Sequence, residues 1–399
     1  MAKKTLADLP DLRGQRVLIR VDFNVPQDDQ GNVSNDRRIR AALPTIQHAL
    51  AAGASVILMS HLGRPKGDPI KDAIFRMDKV AQHLQELLGQ PVRKLDQVVG
   101  DQVTVTAQSL KPGEVLLLEN LRFHPGEKDN DATFAQQLAA LGDVYVNDAF
   151  GTCHNMDASM VAVPAAMADK PRVVGFLVAK ELDILGQLLS NPPKPVVAIL
   201  GGAKVSDKIK FIKSLLPRVD RVLIGGAMSY TFMKAQGKNV GNSRYEPDRL
   251  DVANELLQLG QSKMLLPVDH LVVPHLEQPQ AAQVVAGEIP DGLIGIDIGP
   301  QTINLYRQEI AAAQTIVWNG PMGKFEDEPY SKGTRAIAEA LAASPGVTIL
   351  GGGETAEAAE QFGLDDQMTH VSTGGGAFLK YVEGGQFASL EQIEDKNSS

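Results

Sequence analysis

Short apolar runs rich in β-branched residues alternate along this chain with amphipathic stretches of helical period. In the N-terminal half the strand-like runs are 17–21, 55–59, 115–118 and 144–146. Helical patterns at 38–51, 77–88 and 131–141 lie between them. Strands that alternate with helices predict a parallel sheet covered on both faces. Binding groups in such sheets collect where the strands end. Those ends read DFNVP, SHLGRP, ENLRFHPGE and NDAFGT, and they carry Asp22, Asn24, His61, Arg64, Glu119, Asn120, Arg122, Asn147 and Asp148. One such residue is ordinary turn chemistry. Four successive polar ends with His, Arg, Asn and Asp predict a binding site.

An amphipathic helical run at 180–190 meets NPPKP at 191–195, where the helix cannot continue. With 399 residues, more than one core usually holds, this is the candidate domain boundary. Beyond it the pattern changes character. Five strand-like runs end in glycine: VVAILGGAK, RVLIGGAMSY, TIVWNGPMGKFE, VTILGGGETA and HVSTGGGAFL. Glycine lets backbone N–H groups approach a ligand, and helix N-termini behind such turns favour anions. Residues 196–213, VVAILGGAKVSDKIKFIK, read as strand, glycine turn and helix, with Ser206 or Asp207 as the cap. On that reading Lys204 and Lys208, four apart, share a helix face and face a polyphosphate. Residues 236–290 are less informative, with a helical pattern at 247–259 and a strand-like LLPVDHLVV at 265–273. The polar end LEQIEDKNSS (390–399) reads as frayed, and the run before it is expected to dock elsewhere.

Composition narrows the function. The net charge is −9, so an anionic ligand has to be drawn by local basic patches. No zinc-finger spacing or basic arm marks a nucleic-acid partner. A single cysteine, Cys153, excludes an internal disulfide framework and fits a reducing cytoplasm. The start lacks an apolar signal segment, and no uncharged apolar run reaches about 18 residues, so no membrane partner is expected. No GxxxxGK[ST], HRD with DFG, GxGxxG, GxSxG or HExxH motif occurs. One half rich in Arg and His, and another rich in glycine turns and lysine, suit phosphoryl transfer between two bound ligands. That reaction needs alignment and positive charge more than a protein nucleophile.

The motifs RVDFNVP (20–26), RIRAALPTI (38–46), SHLGRP (60–65), LLENLRF (117–123), DVYVNDAFGT (143–152), ILGGAKVSDKI (199–209), WNGPMGKFE (318–326) and STGGGA (372–377) stand in one order along nearly the whole chain. In this the sequence closely resembles the phosphoglycerate kinase family. The resemblance implies an α/β protein of two doubly wound, parallel-sheet (Rossmann-like) domains joined by a helix, with a cleft between them. Residues 1–179 would bind 3-phosphoglycerate, 180–190 form the interdomain helix, and 191–384 bind Mg-nucleotide; 385–399 would pack back on the first domain. It implies a monomer in the cytoplasm that interconverts ATP and 3-phosphoglycerate with ADP and 1,3-bisphosphoglycerate, using Mg2+. By resemblance, Asp22, Phe23, Asn24, Arg38, His61, Leu62, Gly63, Arg64 and Arg122 bind the acid. Arg38 also stabilises the moving phosphoryl group, Lys204 follows it, and Lys208 contacts nucleotide phosphates. Gly202, Gly295, Glu326, Gly352, Gly353, Glu354 and Thr355 complete the nucleotide site; Glu354 meets Mg directly or through water. Gly374, Gly375 and Gly376 form a helix start facing the reacting phosphate, so that Arg38, Lys204, Gly352 and Gly375 are the catalytic set.

Three motifs depart from the family pattern. The family usually has Arg after FGTxH and the acid's phosphate binds there; this chain has Asn155, with Asp157 where many relatives have His. GGGDT becomes GGGET, which lengthens the side chain by one bond, about 1.5 Å. Lys324 replaces an apolar residue in WNGPxGxF and is read either as solvated or as an extra phosphate contact. Asn155 and Glu354 motivate an alternative, a catalytically weakened homologue that binds nucleotide or a partner, and a third reading as a kinase for another small carboxylate. Loss of a charge-assisted contact costs about 1.5–3 kcal/mol. Asn155→Arg is therefore expected to lower KM for 3-phosphoglycerate in steady-state assays; an unchanged KM would remove that reading of position 155.

Overall fold

The strand β1, Arg16–Val21, is buried along almost its whole length, as its apolar sequence requires. In the computed structural model, which describes residues 2–396, it lies inside a six-stranded sheet. The other members are β2 (Ser55–Met59), β3 (Val92–Lys94), β4 (Val115–Leu117), β5 (Val144–Asp148) and β6 (Arg172–Val174). Their order is β3-β4-β2-β1-β5-β6, and every pair is parallel. Strand order reverses between β1 and β5, the position where such sheets open a crevice at their carboxyl edge. Val17, Ile19, Val21, Phe23, Ile39, Ile46, Val56, Leu58 and Leu62 share one apolar cluster here.

The second six-stranded sheet is also parallel throughout. It contains β7 (Val196–Leu200), β8 (Arg221–Ile224) and β9 (Met264–Leu265). A smaller sheet is formed by β10 (Asp269–Val273), β11 (Gln283–Ala286) and β12 (Ile294–Ile298). The larger one is completed by β13 (Thr315–Asn319), β14 (Val347–Gly351) and β15 (His370–Val371), in the order β15-β14-β13-β7-β8-β9. All five glycine-ended runs thus belong to one sheet, whose order reverses between β7 and β13. The single strand read at 265–273 is instead two. Pro267 cannot donate a ladder hydrogen bond. β9 pairs in parallel with β8, while β10 pairs antiparallel with β11 and β12.

The chain divides into two compact units, 2–184 with 386–396, and 185–385. The division falls inside the helix Phe176–Ser190, ahead of NPPKP. Residues 386–396 join the first unit through Lys3–Asp395 (2.9 Å), Lys4–Glu394 (2.8 Å) and a hydrogen bond from Ser389 Oγ to the Cys153 carbonyl (2.7 Å). Of the tail read as frayed, residues 397–399 lie outside the described residues, while 390–396 are placed, with Leu390 and Ile393 buried.

The start of Phe176–Ser190 is capped from outside the helix. Thr45 Oγ1 accepts the Phe176 N–H at 2.9 Å, and Asp148 Oδ1 accepts those of Leu177 (3.0 Å) and Val178 (3.3 Å). Burial pushes the Asp148 carboxyl up to about 7, although Thr45 and the two N–H groups favour its charge. A carboxyl whose pKa is higher folded than unfolded holds a proton that the unfolded chain has released. Its contribution is therefore complete below pH 4 and is lost as pH rises through 7. Asp148→Asn keeps an acceptor oxygen but cannot titrate. It is expected to flatten the fall in denaturant midpoint between pH 4 and 7, and an unchanged slope would refute the assignment.

Candidate active site

In the first unit the strand ends build a cationic pocket around His61. Asp22 follows β1 and receives Arg38 Nη1 at 3.0 Å; the same nitrogen donates to the Asn24 carbonyl at 3.0 Å. Arg38 stands in the first turn of the helix Arg37–Ala51. Asn24 Oδ1 accepts the Gly63 N–H at 2.7 Å, and the Gly63 carbonyl accepts Arg122 Nη1 at 2.6 Å. A Cβ on Gly63 would lie 2.2 Å from the Phe75 ring, and its φ is +62°, so only glycine fits this link. Asn120 ties both backbone groups of Leu62 and the N–H of Arg122. Phe23 and Leu62 send their side chains into the core, and the Phe23 N–H donates to Ser60 Oγ at 2.9 Å. Arg64 is exposed, and Asn155 is half-buried with its amide 3.3 Å from Asp157 Oδ2.

Arg20, from within β1, is fully buried. It donates to Ser159 Oγ (2.8 Å), to the Val21 carbonyl and to His61 Nδ1 (3.0 Å). A guanidinium has no acceptor, so Nδ1 accepts and the ring proton sits on Nε2. Burial, then Arg20, Arg122, Arg38 and Lys128, hold the His61 pKa well below its ordinary value, so the ring is neutral. Burial, with Arg20 and Arg64, likewise lowers that of Arg122 against the pull of Asp157 and Glu127. Two groups held away from their charged forms by burial and then by the cations beside them mark a site that an anion would relieve.

Not every polar strand end serves this pocket. Glu119 is buried, accepting the N–H groups of Met77 (2.9 Å) and Asn120 (2.8 Å) and pairing with Lys94 (2.8 Å). Asn147 accepts the Ala149 N–H, and Asp148 caps a helix. These groups close the architecture. Arg20, Ser60, Glu127 and Ser159 are working parts that pattern reading passed over; the one signal was a charged residue inside an apolar strand.

In the second unit the loops after β7, β8 and β13 interlock. Gly201 donates to the Asn319 carbonyl (3.0 Å), Gly202 to that of Pro321 (2.9 Å), and Gly226 to that of Met322 (2.8 Å). A Cβ on Gly201 would sit 1.9 Å from the Pro321 oxygen. The helix expected behind GGAK begins at Ile209, later than read. Lys204 and Lys208 therefore stand in the preceding loop and share no helix face. Ser206 does not cap either: Glu246 accepts the Val205 (2.6 Å) and Ser206 (3.1 Å) N–H groups and the Ser206 hydroxyl (2.5 Å), pinning the loop. Lys204 is exposed.

Lys208 Nζ donates to Asn319 Oδ1, and burial lowers its pKa to about 8 against the pull of Glu354 and Asp207. Gly352 precedes the helix Gly353–Gln361, whose first turn holds the exposed Glu354. Thr355 is buried, and its hydroxyl accepts the Gly320 N–H at 2.7 Å. Gly375 opens the helix Gly375–Val382; a Cβ there would lie 3.3 Å from the Gly353 nitrogen. Gly295 is buried against Tyr230 in the small sheet, with its N–H donated to Ser243 Oγ (2.8 Å). Glu326 is exposed, and Lys324 pairs with Asp327. Among the described residues no cluster of three His, Cys, Asp or Glu forms a metal cage. An exposed Glu354 near a lysine fits an ion that takes one carboxylate and shares a ligand's phosphates.

The family model described as "Phosphoglycerate kinase" matches residues 6–385. The phosphoglycerate kinase of Anaeromyxobacter dehalogenans (strain 2CP-C) is 53% identical over 400 residues, covering 99% of this chain and 100% of the relative. The solved phosphoglycerate kinase of Coxiella burnetii superposes with TM-score 0.85 at 39% identity, covering 98% of both chains. That of Pyrococcus horikoshii OT3 gives 0.84 at 32% identity, over 97% of this chain and 98% of the other. The chain belongs to the phosphoglycerate kinase family.

Proposed function

We propose a division of labour for the reaction that membership of this family brings, reversible phosphoryl transfer between ATP and 3-phosphoglycerate, giving ADP and 1,3-bisphosphoglycerate. The first unit binds the acid and the second the nucleotide. The observation that carries this is the His61 pocket, where Arg20, Arg38, Arg122 and Lys128 gather around a neutral imidazole in a chain of net charge −9. His61 donates through Nε2, Arg122 offers its planar fork, and Asn24 and Asp22 aim Arg38. Asp22, Gly63, Arg64 and Asn155 frame the acid, while Phe23 and Leu62 set the backbone of its loops from the core.

In the second unit Gly202, Gly352, Gly353 and Gly375 bring backbone to the phosphates, Lys208 holds the nucleotide, and Glu326 and Gly295 lie toward its sugar and base. Thr355 braces the loop after β13. Lys204 follows the transferred group, which carries charge on three equatorial oxygens and needs donors on several sides. Mg2+, held by Glu354 directly or through water, would neutralise phosphate charge. Transfer is in line and follows hinge closure, which excludes water from the acyl phosphate. The chain acts as a monomer in the cytoplasm; a single free, buried thiol, Cys153, fits a reducing compartment.

A coupled assay with Mg-ATP and 3-phosphoglycerate is expected to yield ADP. Lys204→Ala is expected to lower kcat by about a hundredfold or more, the scale of losing one transition-state donor. Full activity in that variant would overturn the role of Lys204. Glu354→Asp is expected to shift the dependence of rate on Mg2+ at fixed ATP, since a misplacement of roughly 1 Å is costly. Superimposable Mg2+ curves would take the metal away from this side chain.

A further inference from the structure

The acid pocket lacks an arginine at position 155, yet a second cation stands beside that residue. Lys128 Nζ is 2.7 Å from Asp157 Oδ1, and the Asn155 amide is 3.3 Å from the other oxygen of the same carboxylate. Asp157 is buried, whereas the Lys128 side chain is 56% exposed and open to a ligand. The lysine is held there by more than its ion pair. The adjacent Glu127 is fully buried; its carbonyl accepts the Ala158 N–H at 2.7 Å, and its carboxylate takes the N–H (2.9 Å) and hydroxyl (2.6 Å) of Ser159. Ser159 in turn receives Arg20, which holds His61. A hydrogen-bonded network therefore runs from His61 to Glu127, the residue before Lys128.

We propose that Lys128 supplies the phosphate-binding cation of the acid site in place of the arginine that Asn155 lacks, with Asp157 as the tether that orients it. An ammonium has three donors; one meets Asp157 and two remain for phosphate oxygens. The buried tether faces the protein and the charged head faces solvent, so Asp157 orients Lys128 without covering it. Lys128 also belongs to the set of cations that, after burial, suppress protonation of His61. The inference rests on the assignment of the acid to this unit.

Steady-state KM values for 3-phosphoglycerate and for ATP in the full chain test it. Lys128→Ala is expected to raise KM for the acid about tenfold or more, the scale of one charge-assisted hydrogen bond, with KM for ATP within about twofold. Lys128→Arg is expected to retain most of the affinity. Asn155→Arg should lower KM for the acid more in the Lys128→Ala background than in the wild type, because the two cations serve one phosphate. An acid KM within twofold of wild type in Lys128→Ala overturns the proposal. So do parallel increases in both KM values, which mark a purely structural ion pair, and an equal gain from Asn155→Arg in both backgrounds. A wild-type protein that forms no ADP would instead refute the parent reading, so the two failures are told apart.

Discussion

A guanidinium cannot shed its proton inside a protein, and Arg20 is fully buried in the middle of a strand. Its charge has to be met by neighbours, and meeting it organises the first unit. Ser159 and Glu127 are drawn together on one side and the neutral His61 on the other. Burial raises the Glu127 carboxyl above its usual value even with Arg20 nearby. A buried ion network of this kind adds little net stability, because desolvation offsets most of its attraction. Its effect is to hold donors in place before the substrate arrives.

The second unit meets a different constraint. Its loops are crossed so closely that backbone nitrogen and oxygen of neighbouring turns bond directly, which leaves no room for side chains at Gly201 or Gly226. The few side chains that remain are therefore decisive. Glu246 fixes the Val205–Ser206 turn from a distant segment, and Asn319 joins Lys208 to β14 through the Gly351 carbonyl (2.7 Å). Lys208 is thus partly desolvated, and burial outweighs the pull of Glu354 and Asp207 on its charge.

On the proposed division of labour, the two units solve one problem in complementary ways. Side-chain donors with fixed forks suit a small acid with few atoms to grip. Backbone donors suit a longer polyphosphate that runs along several strand ends. The residues proposed for the acid, and most of those proposed for the nucleotide, follow the carboxyl ends of parallel strands, as the topology of such sheets favours.

Periodicity and residue order sufficed for the parallel α/β class, the positions of β1, β2, β7 and β13, and the ordered motifs, because hydrophobic alternation and strand-end chemistry are local. His61, Arg122 and the glycine turns were legible for the same reason, whereas Arg38, inside a helix, was singled out only by the family motif. The small antiparallel sheet was not, since LLPVDHLVV carries no sign that its two halves pair in different sheets. Nor was the late start of the helix at Ile209, where Glu246, forty residues on, competes for the N–H groups of Val205 and Ser206. The proton on His61 Nε2, the helix cap made by Asp148 and the placement of Lys128 beside Asn155 were decided only by tertiary structure. Each depends on groups far apart in the chain whose approach no local pattern encodes: 41 residues separate Arg20 from His61, and 29 separate Lys128 from Asp157.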